Sequence, residues 1–202
     1  MCAKVVFVGD QAVGKTSIIK SILNQDYGNY EPTVGPEQSN ITISVNSSKV
    51  ELCLWDTAGQ EVYQSLAPIY ARNSEAAIMV FSVIDPTSFQ NLSAWRDLLL
   101  NSSTLDSQNI YIVGNKTDLR DSSEDGDCVT TEEGLQYADE LNSKYFEVSA
   151  KTGSNISELF QTIAGDIASE GKKDTHMAKK DTVVDITERN VEEKNNKKKE
   201  CC

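Results

Sequence analysis

The chain has 202 residues, 39% hydrophobic and 25% charged, which suits one globular domain with a substantial core plus a tail. No apolar run approaches the ~20 residues needed to cross a bilayer, and Met1-Cys2-Ala3-Lys4 leads straight into an apolar strand pattern, so no secretory leader is expected and the chain reads as cytosolic. The net charge of −12 is uneven: residues 171–202 hold nine Lys or Arg against seven Asp or Glu, leaving an acidic body that argues against nucleic acid and a basic tail end that suits an anionic membrane.

Val5-Val6-Phe7-Val8 predicts a buried strand over 3–9, and Ile18, Ile19, Ile22 and Leu23 predict a helix over 14–24. Between them Gly9-Asp10-Gln11-Ala12-Val13-Gly14-Lys15-Thr16-Ser17 has the G-x-x-x-x-G-K-T spacing of a phosphate-binding loop in its required strand–loop–helix setting. The glycines let backbone N–H groups turn around an anion, and the helix aims its positive end at the same point. Lys15 supplies a cation for the outer phosphates, the Thr16 hydroxyl suits Mg²⁺, and the loop from Gln11 through Ser17 is the expected phosphate cradle. A plain glycine turn is the bland alternative. Taken alone, the loop indicates only a nucleoside triphosphate.

Residues 25–38 carry no period and two prolines and read as a long loop, a length that within a compact domain usually serves function or is disordered. Thr33 in that loop can complete a Mg²⁺ shell and bond a γ-phosphate, a contact that exists only with triphosphate. Tyr27 suits an aromatic edge against a base and Tyr30 a cover over phosphates; both equally suit a solvent face. Ile41-Thr42-Ile43-Ser44-Val45 alternates as a half-buried strand, Asn46-Ser47-Ser48 turns, and Val50 to Trp55 returns, giving a hairpin.

Trp55-Asp56-Thr57-Ala58-Gly59-Gln60-Glu61 ends that second strand. Asp56 suits holding Mg²⁺ through water, since this ion keeps several of its waters, and the Gly59 N–H can approach a terminal phosphate because no Cβ intervenes. Gln60 is the candidate for orienting an attacking water; without Asp56 and Gly59 it would read as an ordinary loop residue. A second irregular region reaches about Asn73, followed by the apolar strand Ala76 to Phe81. Asp85-Pro86 opens a helix with Phe89, Leu92, Trp95 and Leu99 on one face.

Ile110 to Gly114 is a further buried strand, and Asn115-Lys116-Thr117-Asp118 follows it directly. Guanine presents N1–H and N2–H₂ side by side, and one carboxylate accepts both; adenine has no such pair. Asp118 is thus read as a guanine discriminator, Asn115 as a tie to the surrounding loops and the Lys116 stem as packing along the ring. The run 118–127 reads as a solvated acidic loop, and Thr130-Thr131-Glu132-Glu133 as a capping box. Tyr145 to Val148 is a last strand, after which Ser149-Ala150-Lys151 offers the Ala150 N–H to a guanine carbonyl. Ile156, Leu159, Phe160, Ile163 and Ile167 form one face of the final helix.

Six strands alternating with helices predict an α/β three-layer sandwich of the P-loop NTPase type: a six-stranded, mostly parallel sheet with one antiparallel edge strand. Every motif falls at a strand's carboxyl end, where such sheets bind ligands. Residues 1–170 are the expected nucleotide-binding domain and 171–202, poor in apolar residues, an expected disordered tail ending in Cys201-Cys202. Cys2 and Cys53 read as ordinary packing or surface residues, since the five cysteines show no metal spacing and no even framework.

Together, Gly9 to Thr16, Thr33, Asp56 to Gln60, Asn115 to Asp118 and Ser149 to Lys151 resemble the five signature regions of the Ras superfamily of small GTPases over residues 3–168. The Trp55-to-Glu61 run and the double-cysteine end are similar to the Rab branch, and Ser65 to Tyr70 through Ala76-Ala77 to its early-endosomal members. The resemblance implies GTP and GDP as ligands with Mg²⁺, cycling that regulates vesicle traffic, and effectors, an exchange factor, a GAP and a GDP-dissociation inhibitor as partners. It also implies geranylgeranyl groups on Cys201 and Cys202 that hold the chain to the cytoplasmic face of endomembranes, the early endosome among them. Two lipid chains make a stable anchor where one is marginal, and Lys194 and Lys197-Lys198-Lys199 add roughly 1 kcal/mol each against anionic lipid.

Departures from the pattern carry expectations too. Rabs usually have Phe where Gln38 stands, packed with the positions of Trp55 and Tyr70 as an apolar effector surface, so unusual effectors are expected. Gln11 and Ala12 replace glycines of Ras itself and no arginine finger is evident in cis, implying slow hydrolysis without a GAP. The alternative is a scaffold holding guanine nucleotide without cycling; an ATP-using P-loop kinase conflicts with Asp118.

Overall fold

The outward alternation of apolar side chains along each strand builds two cores, one on either side of a single sheet. A computed structural model describes residues 2–25, 33, 35, 37–46, 48–57, 67–102, 105, 107–122 and 128–177. Strands β1 (Ala3–Val8), β2 (Glu37–Val45), β3 (Ser48–Asp56), β4 (Ala76–Ser82), β5 (Ile110–Asn115) and β6 (Lys144–Glu147) form one sheet in the order β2-β3-β1-β4-β5-β6. All pairs are parallel except β2 with β3, which run antiparallel as the hairpin at the edge. The expected architecture is therefore the observed one.

Helices cover both faces. With α1 (Lys15–Ile22) and α6 (Ile156–Met177) belongs a core holding Val5, Phe7, Leu52, Leu54, Ile78, Val80, Phe160 and Ile163. The opposite core takes the alternate residues Val6, Val8, Ala77, Met79 and Phe81, with Leu92, Trp95 and Leu99 from α4 (Leu92–Ser102). The remaining helices are α2 (Ala67–Ala71), α3 (Pro86–Gln90) and α5 (Thr131–Glu140). Strands β1 and β4 are buried on both sides, as their unbroken apolar runs require. The capping box at Thr130 is present, with Thr130 Oγ1 accepting from Glu133 N–H and the Glu133 carboxylate accepting from Thr130 N–H.

Four local features differ from the expectations. Strand β2 begins at Glu37 rather than Ile41, because ladder pairing with β3 extends to Glu37 opposite Asp56 and Gln38 opposite Trp55, whatever the side-chain pattern. The helix after Asp85 is divided at Asn91, where the Ala94 N–H reaches back only three residues to the Asn91 carbonyl. Thr117–Ser122, read as loop, is a 3₁₀ helix. Cys2 and Cys53 are not ordinary surface residues but are joined in a disulfide, with Cα atoms 5.7 Å apart. The register Lys4 opposite Cys53 brings them within reach. α6 is described through Met177; residues 178–202, with Cys201 and Cys202, lie outside the described residues, as do 123–127 of the acidic run.

Candidate functional site

The parallel strands deliver their carboxyl ends to one edge of the sheet, and Gly9, Asp56, Asn115 and Val148 all leave from it. Backbone geometry dictates the glycines. Gly9 has φ +138°, and a Cβ there would lie 2.1 Å from the Val80 carbonyl oxygen. Gly14 has φ +99°, and a Cβ there would lie 2.3 Å from Asn115 Nδ2. Between them Ala12 adopts φ +62°, which keeps the loop curled. Gly14 also stands at the N-cap of α1 with no side-chain cap bond, so the first-turn N–H groups face the loop. Gln11 and Ala12 are exposed, whereas Val13 and Ser17 are buried beneath the cradle.

Lys15 is buried inside this curl, its Nζ donating to the carbonyls of Gly9 and Asp10 at 2.8 Å each. Burial lowers its pKa from 10.5 to about 8, against the opposing attraction of Asp56 and Asp10. A cation held by loop carbonyls at the mouth of a helix N-terminus is poised to meet an anion.

One helical step on, the Thr16 hydroxyl donates to Asp56 Oδ2 at 2.5 Å and lies 3.0 Å from the Thr33 hydroxyl, which is itself 3.5 Å from the same carboxylate oxygen. Three oxygen-bearing side chains from α1, the 25–38 segment and β3 thus meet at one point. Asp56 is 3% exposed, and its Oδ1 has no hydrogen-bond partner among the described residues. Burial raises its pKa, against the Thr16 hydrogen bond and the Lys15 charge. A buried carboxylate oxygen without a donor, beside two hydroxyls, fits a hard cation of the Mg²⁺ class. Thr57 anchors the end of β3 by donating to the Phe7 carbonyl at 2.6 Å.

A second subsite lies at the ends of β5 and β6. Asn115 is buried and joins three loops: its Nδ2 donates to the Val13 carbonyl of the phosphate loop at 2.9 Å, and its Oδ1 accepts from Ala150 N–H at 3.1 Å. Lys116 takes φ +70° and is half-buried, which lowers its pKa, against the attraction of Asp85 and Asp118. Asp118 Oδ1 accepts from the Ser149 hydroxyl at 2.6 Å, and Lys151 Nζ lies 3.9 Å from Oδ2. Ser149 also accepts from Thr152 N–H, which holds its hydroxyl in place.

The structure therefore brings together Lys15, Thr16, Thr33 and Asp56 at one point and Asn115, Asp118, Ser149, Ala150 and Lys151 at another, with Asn115 bridging to the phosphate loop. Tyr27, Tyr30, Gly59 and Gln60 lie outside the described residues.

Two groups with a part here went unread in the sequence. Asp10 accepts from the Trp95 indole N–H and from Asn91 Nδ2, both at 2.7 Å, pinning the phosphate loop to the start of α4. A tryptophan on a helix's buried face is the available signal, because its N–H needs a partner. Arg120, two residues after Asp118, forks onto Glu147 at 2.8 and 2.6 Å and donates to the Val129 carbonyl, bracing the Asp118 turn against β6. Tyr145 and Thr131 complete that network by donating to Glu147 at 2.9 Å each.

The sequence model of the Ras family matches residues 4–169. That span runs from β1 into α6 and takes in every loop of the site edge. The chain thus belongs to the Ras family of small GTPases, whose members in general bind guanine nucleotide and Mg²⁺ and hydrolyse GTP.

Proposed function

We propose that this GTPase is a Rab-type switch, alternating between GDP and GTP to regulate membrane traffic from the cytoplasmic face of endomembranes, with slow hydrolysis until a GAP acts. The observation that carries the switch is the meeting of Thr16, Thr33 and Asp56 around a donorless carboxylate oxygen. Thr33 comes from the long 25–38 segment, so ligand at this point ties that segment to α1 and β3.

In this reading Thr16, Thr33 and Asp56 would hold Mg²⁺, which when bound would supply positive charge to the phosphate oxygens. Lys15 exchanges the Gly9 and Asp10 carbonyls for phosphate oxygens. Asn115 keeps base loop and phosphate loop in register, and Asp118 accepts from the guanine edge while the Ala150 N–H meets its carbonyl. Gln60 orients the attacking water. Cys201 and Cys202 carry geranylgeranyl groups, supported by the lysines before them. An early-endosomal address follows from the likeness over 65–77.

Mant-nucleotide binding and single-turnover hydrolysis test the switch. Thr33→Ala should leave GDP affinity nearly unchanged and weaken the preference for triphosphate with Mg²⁺, and Gln60→Leu should slow hydrolysis. Equal hydrolysis in Gln60→Leu and wild type removes Gln60 from the mechanism. Cells expressing the chain without Cys201-Cys202 should show it released from membranes; continued membrane residence refutes the anchor.

A second reading, a scaffold that holds nucleotide without cycling, draws on Gln38. It sits opposite Trp55 and bonds Asn40 Oδ1 at 3.1 Å, a polar patch where an apolar effector surface is usual. A GTP-locked pull-down separates the two: partners captured only in the GTP form support the switch.

A further inference from the structure

We propose that Cys2 and Cys53 are a reversible dithiol–disulfide site, oxidised by a low-molecular-weight disulfide of the glutathione class, that clamps β1 to β3 beside Trp55. With Ala3 and Leu52 in one core, alternation along the register Ala3–Leu52 and Lys4–Cys53 puts Cys2 and Cys53 on the opposite face of the sheet, the one that carries Val6 and Trp55. The Cα separation of 5.7 Å is within the ordinary range for a bridge. Because ladder pairing holds Cys53 and Ala3, the residue next to Cys2, the bond can open and close without rearrangement of the strands.

Access and chemistry agree with reversibility. Both cysteines are partly exposed, so a small reagent reaches them. Lys4, the ladder partner of Cys53, holds its ammonium 4.6 Å from the Trp55 ring centre on this same face and donates to the Arg72 carbonyl. Gln38 Nε2 lies 3.4 Å from Cys53 Sγ and supplies a further donor. In a reducing cytosol, the compartment proposed above, bridges that form are characteristically transient. The location thus makes this pair a couple rather than a permanent staple; that step rests on the cytosolic reading, whereas the clamp rests on strand register alone.

The exchange is balanced. One cysteine thiolate attacks a sulfur of the oxidised glutathione, expelling one glutathione thiolate and leaving a mixed disulfide. The second thiolate attacks the protein sulfur, forming the Cys2–Cys53 bond and expelling the other. Two electrons pass to the small disulfide, and the two cysteine protons end on two glutathione thiols. The closed loop spans a sequence separation of 51 and contains Lys15, Thr16 and Thr33, and Cys53 stands three residues before Asp56 on β3. Oxidation should therefore stabilise the domain that carries the cation point.

The test equilibrates the full chain in glutathione buffers of graded reduced-to-oxidised ratio, traps free thiols by alkylation and measures the Cys2–Cys53-linked peptide by mass spectrometry. A linked fraction that rises and falls reversibly across the series is expected, with the linked form melting roughly 5–15 °C higher than the reduced form. Cys53→Ser should show neither the linked peptide nor the melting shift. Absence of the linkage at every ratio overturns the site. A linkage that survives the most reducing buffer overturns the reversibility, and a linked form with unchanged melting overturns the clamp. None of these readings uses GTP turnover, so failure of the nucleotide switch would be seen separately.

Discussion

Trp95→Phe isolates the hydrogen bond by which α4 holds the phosphate loop. Trp95 is 1% exposed and its indole N–H donates to Asp10 Oδ1 at 2.7 Å. Losing a donor to a carboxylate costs about 1.5–3 kcal/mol, and the lower end applies because Asp10 is partly exposed and water can reach the freed oxygen. Replacing the indole by a smaller ring in a closed core adds about 1 kcal/mol. The total of about 2.5 kcal/mol predicts a melting temperature lower by roughly 5–10 °C. The Asp10 carbonyl also receives Lys15 at 2.8 Å, so a loosened loop should release GDP up to about tenfold faster, the equivalent of 1.4 kcal/mol. A double-mutant cycle of Trp95→Phe with Asp10→Ala, followed by urea unfolding and mant-GDP release, separates bond from packing. Coupling under about 0.5 kcal/mol, with unchanged release, would refute the clamp and leave only core packing.

Gly14→Ala should lower nucleotide affinity by at least about tenfold, since the new Cβ meets Asn115 Nδ2 at 2.3 Å in a left-handed backbone and must break the bond from Asn115 to the Val13 carbonyl; isothermal titration with GDP reads it, and unchanged affinity defeats the idea that Asn115 couples the subsites. Asp118→Asn should reverse the preference for GTP over xanthosine triphosphate, with the loss of paired recognition worth on the order of 2–4 kcal/mol; competition binding checks this. Burial raises the Glu147 pKa, but hydrogen bonds from Arg120, Tyr145 and Thr131 outweigh it and hold the group below its usual 4.5. A carboxylate depressed on folding adds stability that is present above pH 4.5 and is lost as pH falls through its lower folded value. Glu147→Gln should therefore cost about 1–2 kcal/mol at pH 7 and flatten the acid limb of a melting-temperature profile; a limb of unchanged slope would rule out this network as its source.

The sequence by itself determined the sheet, its layers and the motif loops, because each is a local pattern: apolar runs for β1, β4 and β5, alternation for Ile41 to Val45, a capping box at Thr130, and glycines where the phosphate loop needs positive φ. Local chemistry also picked out Lys15, Thr16, Asp56, Asn115 and Asp118, since each belongs to a short motif that begins at or directly after a strand's carboxyl end. Only the tertiary structure decided the rest. Asp10 meets Trp95 across 85 residues, Arg120 meets Glu147 across 27, and Cys2 meets Cys53 across 51. No periodicity encodes such meetings; they follow from which strands neighbour one another and in what register. Gln38 shows the same point on a small scale. Its residue type suggested loop, but the ladder with β3 carries main-chain bonds indifferent to side-chain pattern, and these put it in a strand opposite Trp55.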